Sequence, residues 1–189
     1  MGGRLTFSSE AAHGRIGRAF TAAIINAHPQ FVKKIEEQPR AQWALGWWAA
    51  LLQHPLARRE HYLQGTMRAI MFPDGYWAME EQQGGVGVFA MDDQGAFYVG
   101  DMIPEHIARQ LRTFVVHDPK KQRNSQAELL AILCTLLTWP HRLRGSEIVI
   151  YDDSESTIGA VLAGSSADEH SKELVALIWQ TLALLQCPM

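Results

Sequence analysis

The sequence has little cysteine and no long apolar run. Its only two cysteines, Cys134 and Cys187, are far apart and match no metal-binding or redox spacing. We expect Cys134 to be a small core residue and Cys187 a free thiol, which favours a reducing, intracellular location. Since no run of about eighteen uncharged apolar residues occurs, no transmembrane helix is predicted. The first residues also have no apolar segment of the kind that a secretory signal needs.

Other familiar motifs are missing as well. There is no glycine-rich phosphate loop and no nucleophile motif, which disfavours a small-molecule α/β enzyme. The excess of charge is small, at −3, but it is unevenly distributed. Residues 1–66 have eight Lys and Arg against four Asp and Glu, and residues 67–189 have nine against sixteen. This distribution fits a basic segment that binds nucleic acid next to an acidic segment that binds cations. Chance clustering explains the charge equally well.

The order of apolar runs and breakers predicts an α/β domain that follows a helical segment. Helices are predicted at 11–27, 41–52, 104–111, 125–138, 154–163 and 168–186, and strands at 67–72, 85–91, 96–100 and 147–151. The residues Pro73-Asp74-Gly75 predict a turn after the first strand. Three antiparallel strands and a helical crossover imply a mixed sheet with helices packed on it. A right-handed crossover places the fourth strand beside the first.

Three acidic residues are the candidate catalytic groups. Asp74 and Asp152 each close a predicted strand, and Glu128 lies in the first turns of a predicted helix that crosses them. Carboxylates held in this way could bind two hard cations about 4 Å apart for phosphoryl displacement. Asp74 could instead be a turn residue, and Glu128 a solvent-facing helix residue. Asp153 competes with Asp152, but alternation puts Asp152 on the face of Ile148 and leaves Asp153 as a turn or cap residue.

Four short motifs carry a resemblance to a known family. They are Asp74-Gly75, Gly85-Val86-Gly87-Val88, Gln126-Ala127-Glu128-Leu129 and Tyr151-Asp152-Asp153-Ser154. With them, residues 67–186 resemble the ribonuclease H domain of retroelement reverse transcriptases. Residues 4–65 look similar to the thumb and connecting helices that precede it, so a boundary is predicted near residue 65.

The resemblance implies endonucleolytic cleavage of RNA in an RNA–DNA hybrid with two Mg²⁺ ions, Mn²⁺ being a possible substitute. It implies that Asp74, Glu128 and Asp152 are the metal ligands. The hybrid would be recognised through its backbone and 2′-hydroxyls. Arg15 and Arg18 are weaker candidates for phosphate contacts, because ordinary solvated helix charge explains them as well.

The sequence departs from that family at both ends. The family continues into a fifth strand and a helix with a fourth acidic ligand, and a polymerase palm precedes it. We therefore expect a ribonuclease H-like domain at 66–189 without its last strand and helix, and with the fourth strand as an exposed edge. The alternative is a catalytically inactive remnant that only binds nucleic acid or a protein. For the tryptophans Trp43, Trp47 and Trp48, core packing is favoured over stacking on nucleic acid.

Overall fold

The computed structural model describes Phe20, Ile24 and residues 39–53, 68–113 and 119–187. The strands are β1 (Arg68–Ala78), β2 (Gln83–Asp92), β3 (Gly95–Met102) and β4 (Glu147–Ile150). The helices are α1 (Pro39–Gln53), α2 (Glu105–Thr113), α3 (Pro119–Thr138), α4 (Pro140–Leu143), α5 (Glu155–Ala163) and α6 (Glu169–Leu184). The predicted helix at 11–27, as well as Arg15 and Arg18, lies outside the described residues, apart from Phe20 and Ile24.

The four strands form one mixed sheet in the order β3-β2-β1-β4. β1 is antiparallel to β2, and β2 is antiparallel to β3. β4 lies beside β1 and parallel to it, with Ile70 opposite Val149. The predicted α/β class, the mixed sheet and the place of the fourth strand are thus confirmed.

β1 is much longer than the sequence predicts, and the predicted turn at Pro73-Asp74-Gly75 is wrong. These residues continue the strand, with Pro73 opposite Val88 and Asp74 opposite Gly87. Proline is tolerated there because of the ladder geometry. The amide of Tyr151 donates to the carbonyl of Met71 (2.9 Å), so the backbone groups of Met71 and Pro73 face β4. Pro73 has no N–H to continue that ladder, and β4 ends at this point.

The core lies between one face of the sheet and the helices. Leu129, Ile132 and Leu136 of α3 are fully buried against Met71 of β1, in one cluster with Ile178 of α6. Their apolar side chains recur at helical spacing, which is why α3 buries one long stripe. The other face of the sheet is not covered by any of the described helices, so the sheet presents an apolar face inward and an open face outward.

Helix α1 joins the same core. Trp48 is 3% exposed, and the ring of Phe20 is stacked on that of Trp47 with centroids 4.0 Å apart. Core packing, as predicted for the tryptophans, therefore describes Trp47 and Trp48, whereas Trp43 is partly exposed. The domain boundary near residue 65 stays a prediction, since residues 54–67 lie outside the described part.

The ends of the C-terminal helices follow the capping signals. Ser154 caps α5 by accepting from the amide of Thr157, and Gly164 ends it in the left-handed conformation. Asp168 accepts from the amide of Ser171 at the start of α6. No helix within the described ranges is long and apolar enough to cross a membrane.

One short helix was not predicted. The sequence Trp139-Pro140 ends α3 as expected, but Pro140 then begins α4, where its missing N–H costs nothing. α4 is tied to the β2–β3 hairpin by Arg142, whose guanidinium donates to the buried carboxylate of Asp92 (2.7 Å). That guanidinium also lies over the ring of Phe97, 4.0 Å from its centroid. This ion pair holds the pKa of Asp92 below its ordinary value.

Candidate functional site

The candidate site lies where β4 ends and β1 continues. Beyond Ile150, no strand of the described residues covers this edge of β1. Helix α3 lies close to β1 there, and the side chain of Asn124 accepts from the amide of Trp77 (2.9 Å). We call Asp74, Glu128 and Asp152, which surround this point, the acidic notch.

Asp74 is in the middle of β1 rather than at a strand end, so that part of the sequence prediction is wrong. It alternates with Pro73 and Gly75, which face the helices and are buried. Asp74 is exposed and shares the open face of the sheet with Phe72 and Tyr76. A strand interior fixes this carboxylate as firmly as the predicted strand end would.

Glu128 enters the notch because α3 approaches β1 very closely. A Cβ added to Gly75 would overlap the backbone of Ala127 and the amide nitrogen of Glu128. Glycine is therefore needed after Asp74 because, without a side chain, it leaves room for the backbone of α3. Glu128 does not lie in the first turns of its helix as predicted, because α3 begins already at Pro119.

The carboxylate of Glu128 points toward the start of α5. The hydroxyl of Thr157 donates to its Oε2 at 2.5 Å. Thr157 is buried, and the cap at Ser154 fixes the turn that carries it. The sequence analysis missed Thr157, because it took Asp153 rather than Ser154 as the candidate cap and so did not locate the first turn of α5.

Asp152 is the most perturbed acid of the notch. One oxygen, Oδ1, accepts from the amide of Ser154 (2.8 Å), whereas Oδ2 is buried with no hydrogen-bond partner among the described residues. Burial raises the pKa of Asp152, and the charges of Glu128, Asp153 and Asp74 raise it further, while the bond from Ser154 lowers it. A concentration of negative charge at this point is the electrostatic condition that a cation relieves.

Asp74 and Glu128 are close enough for their charges to raise the pKa of Asp152, but the three carboxylates do not surround a common cation position. Asp152 lies with Ile148 and Ile150 along a pocket of about 360 Å³ on the helix side, as strand alternation predicts. Asp74 is on the opposite, open face. Within the described ranges, no three His, Cys, Asp or Glu side chains are placed so that they could hold one ion. The carboxylates would have to rotate toward one another to share a cation.

Asp153 lies in a bend, in line with the predicted turn, and does not have the alternative role of helix cap. The helix cap is Ser154, and the Asp153 side chain is exposed beside it. Its charge adds to the field that raises the pKa of Asp152. Asp153 is therefore a further acid at the mouth of the notch.

An aromatic row crosses the open face next to Asp74. Tyr151, Phe72, Phe89 and Tyr98 follow one another across all four strand positions. The ring of Phe72 is 5.3 Å from that of Tyr151 and 6.2 Å from that of Phe89, and Phe89 is opposite Tyr98. Tyr98 is 81% exposed. Sequence reasoning missed this row because its members come from four separate segments, which only strand register brings into line.

Comparison with known proteins adds no assignment. No protein-family model matches the chain, and no curated protein matches it at a significant level.

Proposed function

We propose that this chain is a ribonuclease H-like domain, part of a reverse transcriptase-like polyprotein, that cleaves RNA in RNA–DNA hybrids with Mg²⁺ or Mn²⁺. The observation that carries the proposal is the state of Asp152. Its buried oxygen lacks a hydrogen-bond partner among the described residues, and three further carboxylates raise its pKa. Such an arrangement is unfavourable without a counter-charge, and perturbed acids of this kind concentrate at functional sites.

The order of elements supports the same proposal. A mixed sheet whose fourth strand lies parallel beside the first, with the crossover helix holding Glu128, is compatible with a ribonuclease H-like fold. The close approach at Gly75 brings the helix to the strand that holds Asp74. The proposed origin in a retroelement and the thumb-like role of residues 1–65 rest on the sequence motifs alone.

In the proposed mechanism the residues of the notch have separate tasks. Glu128, fixed by the hydroxyl of Thr157, and Asp152, fixed by the amide of Ser154, would hold a divalent cation between α3 and the end of β4. Asp74 would contribute a carboxylate to the cation from the open side after rotation of its side chain. A bound cation supplies a lowered pKa for an attacking water and charge stabilisation at the leaving oxygen. The chain itself orients these carboxylates and keeps one side of the notch dry.

Cleavage of a labelled RNA–DNA hybrid in Mg²⁺ or Mn²⁺ tests the proposal. We expect Asp152→Asn and Glu128→Gln to lower the rate by at least about 100-fold, since even outer ligand partners account for tenfold to 100-fold effects. Asp93→Asn, an exposed acid of the β2–β3 turn, is the matched control and should keep the wild-type rate. Single-stranded RNA and duplex DNA should stay intact. Equal cleavage by wild type and Asp152→Asn would contradict the proposal.

The second candidate function is nucleic-acid binding without cleavage. The exposed aromatic row favours it, because bases stack on exposed rings without regard to their identity. In the described ranges, no three ligands are already placed around one cation position, which also favours binding without cleavage. In this case the open face would be the contact surface, and the notch would be a remnant.

Anisotropy of a fluorescein-labelled twelve-nucleotide RNA measures this binding directly. If bases stack on the row, Tyr98→Ala should weaken binding by about tenfold, which corresponds to the loss of one stacked base. Tyr98→Phe keeps the ring and should bind like wild type. Unchanged affinity of Tyr98→Ala would remove the open face as the binding surface.

A further inference from the structure

One edge of β4 is not paired with any strand of the described residues. β4 ends the sheet order β3-β2-β1-β4, and in the described ranges β1 is its one partner. Since Tyr151 directs its amide to Met71, alternation turns the N–H and C=O groups of Ile148 and Ile150 away from β1. No other strand in the described part of the chain bonds to these groups. Unpaired main-chain groups of this kind are a template for an added strand.

An apolar groove runs beside this edge, which we call the β4 groove. Its volume is about 360 Å³, and α5 and α6 form its walls. Ile148 and Ile150 form its floor, and Leu162 on the rim is 52% exposed. The indole of Trp179 donates to the carbonyl of Val161 (3.0 Å), which joins the two walls. The groove is therefore held open by the packing of its helices.

The charge of the groove restricts its occupant. Of the described residues that line it, Glu147 and Asp152 are charged and none is basic. Glu147 is paired with Arg68, but Asp152 has no basic partner in the described salt bridges. A second copy of this chain, added edge to edge, would bring the same acids of both copies together. A basic partner would neutralise them, so charge complementarity favours a different polypeptide.

We propose that the β4 groove binds an extended segment of another polypeptide, which adds as a fifth strand beside β4. Apolar side chains at alternate positions enter the groove, and basic residues flank them. The main-chain bonds to Ile148 and Ile150 give affinity, and the groove gives specificity. This inference does not require nuclease activity, but it shares Asp152 with the proposed cation site, so the peptide is titrated without divalent ions.

A synthetic peptide tests this surface. The probe is fluorescein-labelled Lys-Val-Thr-Val-Thr-Val-Lys, titrated with the whole chain and followed by anisotropy. A version with proline in place of both threonines cannot complete the ladder, and a version with glutamate in place of both lysines reverses the charge. We expect each change to weaken binding by about tenfold or more. Equal binding of the proline version, or no binding of the lysine peptide up to about 1 mM, would overturn the proposal.

Two matched variants locate the binding surface. Leu162→Lys removes apolar area from the rim of the groove and adds a positive charge that repels the basic flanks, so it should weaken binding by about tenfold. Leu137→Lys is the control, because Leu137 is also exposed (61%) near the end of its helix but does not line the groove. Equal effects of both variants would overturn the assignment. A concentration-dependent dimer in sedimentation that only Leu162→Lys abolishes would show that the occupant is a second copy rather than another polypeptide.

Discussion

The carboxylate of Asp152 is fixed in position, but no positive group compensates its charge among the described residues. The amide of Ser154 fixes one oxygen, and burial removes water from the other. Both the burial and the neighbouring acids penalise its ionised form, so its pKa lies above the ordinary value of 3.8. At neutral pH the ionised carboxylate of Asp152 is therefore less favourable in the folded chain than in the unfolded chain, where water solvates it.

The sign of the pH effect follows from this raised pKa. Between 3.8 and the raised value, the folded state binds more protons than the unfolded state, so stability falls as the pH rises. We expect Asp152→Asn, which keeps the acceptor for Ser154, to be more stable than wild type at pH 7. The difference should shrink as the pH falls toward 4. Urea unfolding at both pH values, without divalent ions, measures it.

The control for this prediction is Asp93→Asn, which removes an exposed carboxylate from the β2–β3 turn. It should not reproduce the gain in stability. A loss of stability in Asp152→Asn at pH 7 would show that the carboxylate is already satisfied in the folded chain.

At the scale of elements, the contact between β1 and α3 is the feature that forms the notch. Gly75 is required because the helix backbone occupies the space of a side chain. Gly75→Ala must push α3 away or bend β1, and overpacking of this kind costs about 1–3 kcal/mol. We expect a loss of stability of that size in urea unfolding.

Gly159→Ala is the matched control, because Gly159 is in α5 and nothing lies within 4 Å of an added Cβ. Its greater helix propensity should stabilise the chain by about 0.5–1 kcal/mol. If Gly75→Ala were as stable as this control, the helix and the strand would be less closely packed than described.

The elements also show where the sequence was informative. Apolar runs and capping residues located all four strands and most helices, since those signals are local. Pro73-Asp74-Gly75 has the local chemistry of a turn, yet the antiparallel pairing of β1 with β2 keeps it extended. The hydrogen bond that joins this part of β1 to β4, from the amide of Tyr151 to the carbonyl of Met71, spans some 80 residues of sequence, and no local pattern indicates it. The sequence therefore indicated the residues of the candidate site but not how they are arranged.

The sequence alone also did not show on which face of the sheet each acid lies. Alternation correctly placed Asp152 with Ile148 and Ile150. The same rule could not be applied to Asp74, because its strand was expected to end before it. Convergence of the three acids in one pocket stays a prediction that needs side-chain rotation.

On the scale of the whole molecule, the sheet separates two environments. The inner face is a dry core shared with helices α1, α3 and α6, and the outer face presents the aromatic row. The acidic notch lies at the boundary, where β4 ends. A divalent cation there would contact the dry side through Asp152 and the open side through Asp74, which is why the notch is the centre of the proposed activity.

Titration of the whole chain with Mn²⁺, followed by electron paramagnetic resonance of the free ion, tests this cation site most directly. We predict that wild type binds Mn²⁺ and that Asp152→Asn and Glu128→Gln each weaken binding by about tenfold or more, whereas Asp93→Asn does not. Binding of Mn²⁺ that is identical in all four proteins, or no binding by wild type at about 10 mM, would contradict a cation site in the acidic notch.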